Sequence, residues 1–344
     1  MKKFTSLFLI MICFLSGCAN RAEIVSYTFE PANRTFLALY EKKVLFINAD
    51  SHSSLRLFDF EMNEDLLISE LPYFFLKGSS NTLVDTTLYF YITELRENKL
   101  FNVLYSFDFN TLIFKEVSTN EHSQHLIPLA TFNGTVHSLQ QNIEGDKQTQ
   151  FFVLKHFDDV SVEMDLKGKI LEYDIISIHS NGDHLYTVEK DSINEGVYFI
   201  GKYDSQYQLK SYFNISSLYT DNKLQNTIKA FKVLNDTTFY LSDYNSNAVL
   251  FEKAKDETNT IMYGQNLLYA EDYVPHRDVH FFLITGSDIF FTFNTNTHEL
   301  IKNIFEISSY NKATYFSLAY QNQLLLLKRN QNETESIYLY QNNK

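Results

Sequence analysis

An all-β chain rolled into one β-propeller of seven blades, with six as the alternative count, is the fold class this sequence predicts. Three observations predict it. A strand anchor recurs as Val44-Leu45-Phe46, Leu88-Tyr89-Phe90, Val136-His137-Ser138, Leu185-Tyr186-Thr187, Phe239-Tyr240-Leu241, Ile289-Phe290-Phe291 and Leu324-Leu325-Leu326, in steps of 44, 48, 49, 54, 50 and 35 residues. An aromatic-Asp pair keeps nearly the same step at Phe58-Asp59, Phe107-Asp108, Phe157-Asp158 and Tyr203-Asp204. The composition favours strands, with 31 Phe and 23 Tyr against no Trp and only 10 Gly.

The unit is clearest at Asn181 to Asp204. Asn181-Gly182 offers positive-φ positions for a tight hairpin, His184 to Val188 reads as one strand, Asp191 to Glu195 as a polar loop and Val197 to Lys202 as the next strand. The closing Asp suits a turn in which its side chain accepts amides two residues on. A further strand precedes each anchor, as in Phe36 to Tyr40, Leu83-Val84, Leu129 to Phe132, Ile175 to Ile178, Ala230 to Leu234, His280 to Ile284 and Phe316 to Tyr320. Three strands per step, with room for a fourth after the closure, make a propeller blade; a β-sandwich is the competing architecture.

One blade cannot bury both of its faces, so the ring must close. The last unit ends on Ser336 to Tyr340, and the strand that completes it is expected from Ile24 to Phe29, where Val25, Tyr27 and Phe29 alternate with polar residues. Unit six is the weak point of the count. After Ile289 to Phe293 the residues NTNTHELIKNIFEI show no obvious second hairpin strand, which predicts a truncated blade or a merger with unit seven.

Ahead of the ring, Lys2 and Lys3 precede an apolar run from Phe4 to Phe14 and then Leu15-Ser16-Gly17-Cys18. This is the order of a secretory leader, and the run falls short of the roughly 20 residues a membrane-spanning helix needs. Leu15-Ser16-Gly17-Cys18 resembles the bacterial lipobox, in which the cysteine takes a lipid and the preceding segment is removed. The resemblance implies a leader over 1–17, a lipidated tether over 18–23, a propeller over 24–344, and a protein held at a membrane of the bacterial cell envelope after export. It also leaves no second cysteine for a disulfide, since Cys13 falls in the leader. Stability must then come from the apolar core. No Pro-, Gly- or Ser-rich linker interrupts the repeat, so a single domain is expected.

A net charge of −13, which becomes −15 once Lys2 and Lys3 are removed, sets the chain against nucleic acid and anionic lipid headgroups. Catalytic signatures are missing: there is no G-x-S-x-G, no Gly-rich phosphate loop and no spaced acidic calcium loop. The pairs His122/His125 and His276/His280 could contribute to a metal site, but their spacing is better read as solvated loop chemistry, and neither metal nor cofactor is expected. Asp174, Asp243, Asp272 and Asp278 are candidates for paired-carboxylate chemistry only in that blades can gather distant acids.

Loops that enter the innermost strands converge on one face of a propeller, and ligands bind there or in the channel mouth. The best candidate surface is the loop YAEDYVPHRD, with Tyr269, Asp272, Tyr273, His276, Arg277 and Asp278, joined by His125 and Asp174 from neighbouring loops.

At unit five, FYLSDYNSNAVLF (Phe239 to Phe251) resembles the core of an NHL-type repeat, with Ala248 where that family has a basic residue. Together with the leader, the chain is similar to lipid-anchored propellers of the NHL- and TolB-like kind. The resemblance implies a fold and an envelope location, not an activity. The leading reading is a non-catalytic module that binds or scaffolds an envelope protein, a peptide or a glycan. The alternative is a propeller hydrolase or lyase acting on an envelope or dietary polymer.

Overall fold

The computed structural model describes residues 23–341 apart from 30–33, 50–52, 73, 76–80, 122–128, 145–146, 158–159, 171, 255–256, 271–277, 286, 288, 305–313, 322 and 330–334. Seven antiparallel sheets follow one another in the chain, each a blade. After β1 (Glu23–Phe29), blade 1 is β2 (Arg34–Tyr40), β3 (Lys43–Ala49), β4 (Ser53–Asp59) and β5 (Glu64–Glu70). Blade 2 splits its first strand into β6 (Phe74–Phe75) and β7 (Asn81–Val84), both paired to β8 (Thr87–Arg96), followed by β9 (Lys99–Asp108) and β10 (Phe114–Glu121). Blade 3 is β11 (Leu129–Phe132), β12 (Thr135–Glu144), β13 (Lys147–Phe157) and β14 (Val160–Met164).

Blade 4 is β15 (Tyr173–Ser180), β16 (Leu185–Asp191), β17 (Tyr198–Tyr203) and β18 (Leu209–Asn214), and a one-turn helix, α1 (Ser217–Thr220), leads to blade 5. Blade 5 is β19 (Ile228–Val233), β20 (Thr238–Asp243), β21 (Asn247–Ala254) and β22 (Glu257–Gln265). Blade 6 is β23 (Leu267–Tyr269), β24 (Val279–Ile284), β25 (Ile289–Asn294) and β26 (Glu299–Ile304). Blade 7 takes β27 (Thr314–Tyr320), β28 (Gln323–Arg329) and β29 (Glu335–Gln341) from the end of the chain and β1 from its beginning.

The ring is therefore locked as its alternation predicts. β1 runs antiparallel to β29 from Glu23↔Gln341 to Phe29↔Glu335. Tyr27 lays its ring 4.3 Å from that of Phe58 in blade 1, so the closing strand also reaches across a blade junction.

Blade 6 corrects the sequence reading. It is complete, and His280 to Ile284 is its second strand rather than its first, because the three-residue β23 is too short to show a period of two. Ile289 to Phe291 is then the third strand, and Phe293-Asn294 takes the place of the aromatic-Asp pair. Asn294 Oδ1 accepts the amides of Asn296 at 2.9 Å and Thr297 at 3.0 Å. Asp59 does the same for Glu61 and Met62, Asp108 for Asn110 and Thr111, and Asp204 for Gln206 and Gln208. The repeated residue is thus a turn clamp in which the amide oxygen of Asn serves as well as a carboxylate. Asp158, the remaining member of the series, lies outside the described residues.

With little glycine available, left-handed turn positions fall to other residues, among them Asn63, Asn98, Asn133, Asn222, Asn266 and Asp85. Asn181 departs from expectation: only Gly182 takes positive φ in its turn, and Asn181 works through its side chain, which accepts the amides of Asp183 and His184. Apolar residues gather between neighbouring blades. One cluster joins Tyr186, Val188 and Ile200 of blade 4 to Phe231, Phe239 and Val249 of blade 5, and another joins Tyr240 and Leu250 of blade 5 to Leu267, Phe282 and Phe293 of blade 6. Each blade is consequently stable only through its flanks.

Candidate ligand pocket at the hairpin end of the ring

The strand order gives the ring two ends. At one, which we call the hairpin end, lie the turns from first to second strand and from third to fourth. At the other, the crossover end, lie the second-to-third turns and the connections between blades. At the hairpin end, blades 4, 5 and 6 enclose an open cavity of about 360 Å³ lined by Asn181, Asp183, Leu234, Asn235, Asp236, Thr237, Asp278, Thr295 and Asn296. Every lining group but Leu234 is a short side chain with an oxygen. These are turn formers for local reasons: Asn235 Oδ1, for example, accepts the amides of Thr237 and Thr238.

Asp236 is clamped from several sides. Its Oδ1 accepts from the Tyr186 hydroxyl at 2.7 Å and from Asn181 Nδ2 at 2.9 Å, and its Oδ2 lies 2.9 Å from Lys202 Nζ. His184 Nδ1 stands 3.6 Å away, an ion pair once that imidazole is protonated. Partial burial opposes ionisation, but Lys202, Tyr186 and Asn181 outweigh it and hold the Asp236 carboxyl at about 2. It is therefore a fixed anion at neutral pH, unsuited to carrying a proton in catalysis. Its stabilising effect is present above the unfolded value near 3.9 and disappears as pH falls through about 2. Asp183 and Asp278 add two exposed carboxylates to the same mouth.

Of the residues the sequence singled out, Asp278 is placed in this pocket. Asp174, the second residue of β15, pairs with Lys190 at the crossover end, so Asp174 and Asp278 do not share a surface. The expectation that the Tyr269 to Asp278 loop enters an innermost strand fails for the same reason as the strand count: the loop leaves β23 and enters β24, at the hairpin end. Tyr269 packs on Tyr240 and Phe282, and its hydroxyl lies 3.0 Å from Nδ1 of the buried His280. Asp243 is buried and serves the fold, accepting the backbone amides of Gln225, Asn226, Asn245 and Asn247. Cys18, His122, His125, Asp272, Tyr273, His276 and Arg277 lie outside the described residues.

Sequence reasoning missed Asn181, Asp183, Asp236 and Thr295 as pocket residues. A signal existed. Asn181-Gly182-Asp183 and Asn235-Asp236 stand immediately before two successive anchors, and projecting the repeat onto its turns places them side by side.

Buried polar networks elsewhere carry no access for a substrate. Ser138 Oγ lies 2.6 Å from His156 Nε2, the spacing of a nucleophile and its base, but Ser138 is wholly buried and His156 is 5% exposed. Nδ1 of His156 meets the Ser161 hydroxyl at 2.9 Å instead of a carboxylate. His137 Nε2 meets the Tyr207 hydroxyl at 2.8 Å. Burial pushes both histidines down to about 4, so both are neutral in the folded ring. An unfolded chain would protonate them near 6.5, so their neutral networks are fully favourable above that pH and lose ground as pH falls from about 6.5 towards 4. Chemical melts should show stability falling across this interval, by on the order of 2–3 kcal/mol per histidine, with a shallower fall in His156→Gln. A flat profile in the parent protein would contradict the burial of these rings. Among the described residues no group of three His, Cys, Asp or Glu could hold a metal ion.

No family model matches the chain, and no curated protein matches it. Its fold is similar to solved structures. One is an oligogalacturonate lyase from Vibrio parahaemolyticus, with a TM-score of 0.56 and 9% identity over 93% of this chain and 98% of that one. A second, an oligogalacturonate lyase in complex with manganese, has a TM-score of 0.53 and 9% identity over 94% and 98%. A chain of a mitotic checkpoint complex has a TM-score of 0.55 and 10% identity over 93% and 95%. At such identity the likeness shows the fold: all-β, a seven-bladed propeller.

Proposed function

We propose that this is an exported propeller, tethered to a membrane of the bacterial envelope through a lipid on Cys18, that binds a protein, peptide or glycan without transforming it. The supporting observation is the chemistry of the hairpin-end pocket. It offers hydrogen-bond acceptors and fixed negative charge, with Asp236 clamped as an anion by Lys202, Tyr186 and Asn181. Such a pocket favours a ligand that donates hydrogen bonds, such as the amides and ammonium groups of a peptide or the hydroxyls of a neutral sugar.

A second reading, a lyase or hydrolase, is supported by the two lyases among the structural neighbours, at the level of fold. Charge weighs against a uronate substrate at this pocket, where three aspartates would repel a polyanion.

Cross-linked capture from native membranes separates the two readings. The double variant Asp278→Lys, Asn296→Lys cancels the formal charge of the three aspartates in the lining without touching the Asp236 clamp and should lose at least about tenfold of the captured partner, whereas Ile193→Lys at the crossover end should retain it. Equal capture by all three proteins contradicts the pocket. Release of unsaturated products from oligogalacturonides by the purified protein contradicts the non-catalytic reading.

A further inference from the structure

The tether and the pocket leave the ring at the same end. β1 is the outermost strand of blade 7, and its first residue, Glu23, pairs with Gln341, which in turn pairs with Gln323 just past the first turn of that blade. That is the hairpin end. Five peptide steps separate Glu23 from Cys18. An extended chain covers about 3.4 Å per residue, so a lipid on Cys18 lies no more than roughly 17 Å from that end.

The same end carries exposed apolar side chains where water alone would favour polar ones. Met62 of blade 1, Leu112 and Ile113 of blade 2, and Phe157 and Val160 of blade 3 all flank turns between third and fourth strands, and Ile113 is 59% exposed. Leu112 is the most telling. It takes φ of 58°, the left-handed slot that Asn63 fills in blade 1 and His298 in blade 6, so a bulky apolar residue stands exposed where the backbone favours a polar one. The ammonium of Lys155 lies 4.5 Å from the Phe157 ring centre, a pairing of aromatic face and cation suited to a headgroup layer. Blades 1, 2 and 3 follow blade 7 around the ring, so this apolar rim continues from the point where the tether departs.

We propose that the hairpin-end rim of blades 1 to 3 rests in the interfacial layer of the same bilayer that holds the lipid. The inference rests on the reading of Cys18 as the lipid site. Blades 4 to 6 then present their pocket toward the membrane-facing side, open to ligands at that surface, while Ile193 and Tyr244 at the crossover end point away. The interaction is apolar and needs no anionic lipid, which the net charge of the chain would repel.

The absence of tryptophan gives a direct test. Full-length protein matured with its own leader is reconstituted into vesicles of phosphatidylcholine and phosphatidylethanolamine with brominated acyl chains, bearing one reporter: Ile113→Trp or Met62→Trp at the rim, or Ile193→Trp at the far end, where the residue is 75% exposed. A seven-residue strand spans about 23 Å, so the rim reporters should be blue-shifted and lose at least about twofold more emission to bromine than the far one. Equal quenching, or stronger quenching at Ile193→Trp, overturns the orientation. The mass of the amino-terminal peptide and flotation with the vesicles separate the two failures: a lipid-free Cys18 that does not float overturns the anchor and the orientation with it, whereas a lipidated, floating protein with unquenched rim reporters overturns the orientation alone.

Discussion

A chain that starts after Phe29 should lose cooperative folding altogether. β1 contributes the whole outer strand of blade 7, paired over seven positions from Glu23 to Phe29, and sets Tyr27 against Phe58 and the Thr28 hydroxyl 3.1 Å from that of Ser336. At about 1 kcal/mol per net hydrogen bond, plus the burial of Tyr27, its removal costs a large share of the roughly 5–15 kcal/mol that holds a domain together. It also exposes the edge of β29, a template for pairing with a second chain. Far-ultraviolet circular dichroism melts of proteins starting at Glu23 and at Arg34 make the comparison. The longer protein should melt in one transition, and the shorter should aggregate or melt without one. Equal melting temperatures would mean that the ring does not depend on its own closure.

The second large effect is expected from a single methyl group. Glu189 is fully buried in blade 4, and its carboxylate accepts from Thr187 at 2.6 Å, Tyr203 at 2.8 Å and Tyr212 at 2.7 Å. Gly201 supplies the room. A Cβ there would stand 2.7 Å from Thr187 Oγ1, 2.9 Å from Glu189 Oε1 and 2.9 Å from Tyr203 Cε2. None of the three yields easily: the threonine is stiff at its first torsion, the tyrosine is a rigid ring, and the carboxylate is pinned by its donors. Gly201→Ala should therefore cost about 2–4 kcal/mol, from overpacking and from hydrogen bonds broken around a buried charge. Gly264→Ala is the control, because a Cβ there meets nothing within 4 Å. Its effect should stay within about 1 kcal/mol, in either direction. Similar losses in the two variants would contradict the Glu189 network.

How far the sequence reveals this depends on which residues repeat. In blades 1 to 4 an aromatic-Asp pair closes the third strand at a step near one blade length, and the strand anchors continue the repeat beyond them, so the ring and its closing strand are legible in one dimension. Blade 6 is not, because β23 holds three residues and Asn294 stands where its counterparts carry Asp. That slip of one strand moved the Tyr269 to Asp278 loop to the wrong end of the ring and Asp174 onto its surface. The pocket is only partly legible: the repeat sets Asn181 and Asp236 in neighbouring turns, but it does not show that those turns share a cavity with Asp278 and Thr295. Asn181, Asp236, Asp278 and Thr295 are ordinary turn residues, each with a local duty, and only the packing of three consecutive blades turns their oxygens toward one cavity. Helix α1 escaped notice because one turn of four residues carries no periodicity.

A partner held by the hairpin-end pocket should touch the turns of blades 4, 5 and 6 that line it. Hydrogen exchange, measured on the purified protein alone and on its captured complex, reports each turn separately. Protection should appear at residues 181–184, 234–237 and 295–296, leaving 192–196 and 244–246 unchanged. Protection confined to the crossover turns, with the hairpin-end turns exchanging as in the free ring, would place the binding surface at the opposite end and contradict the pocket.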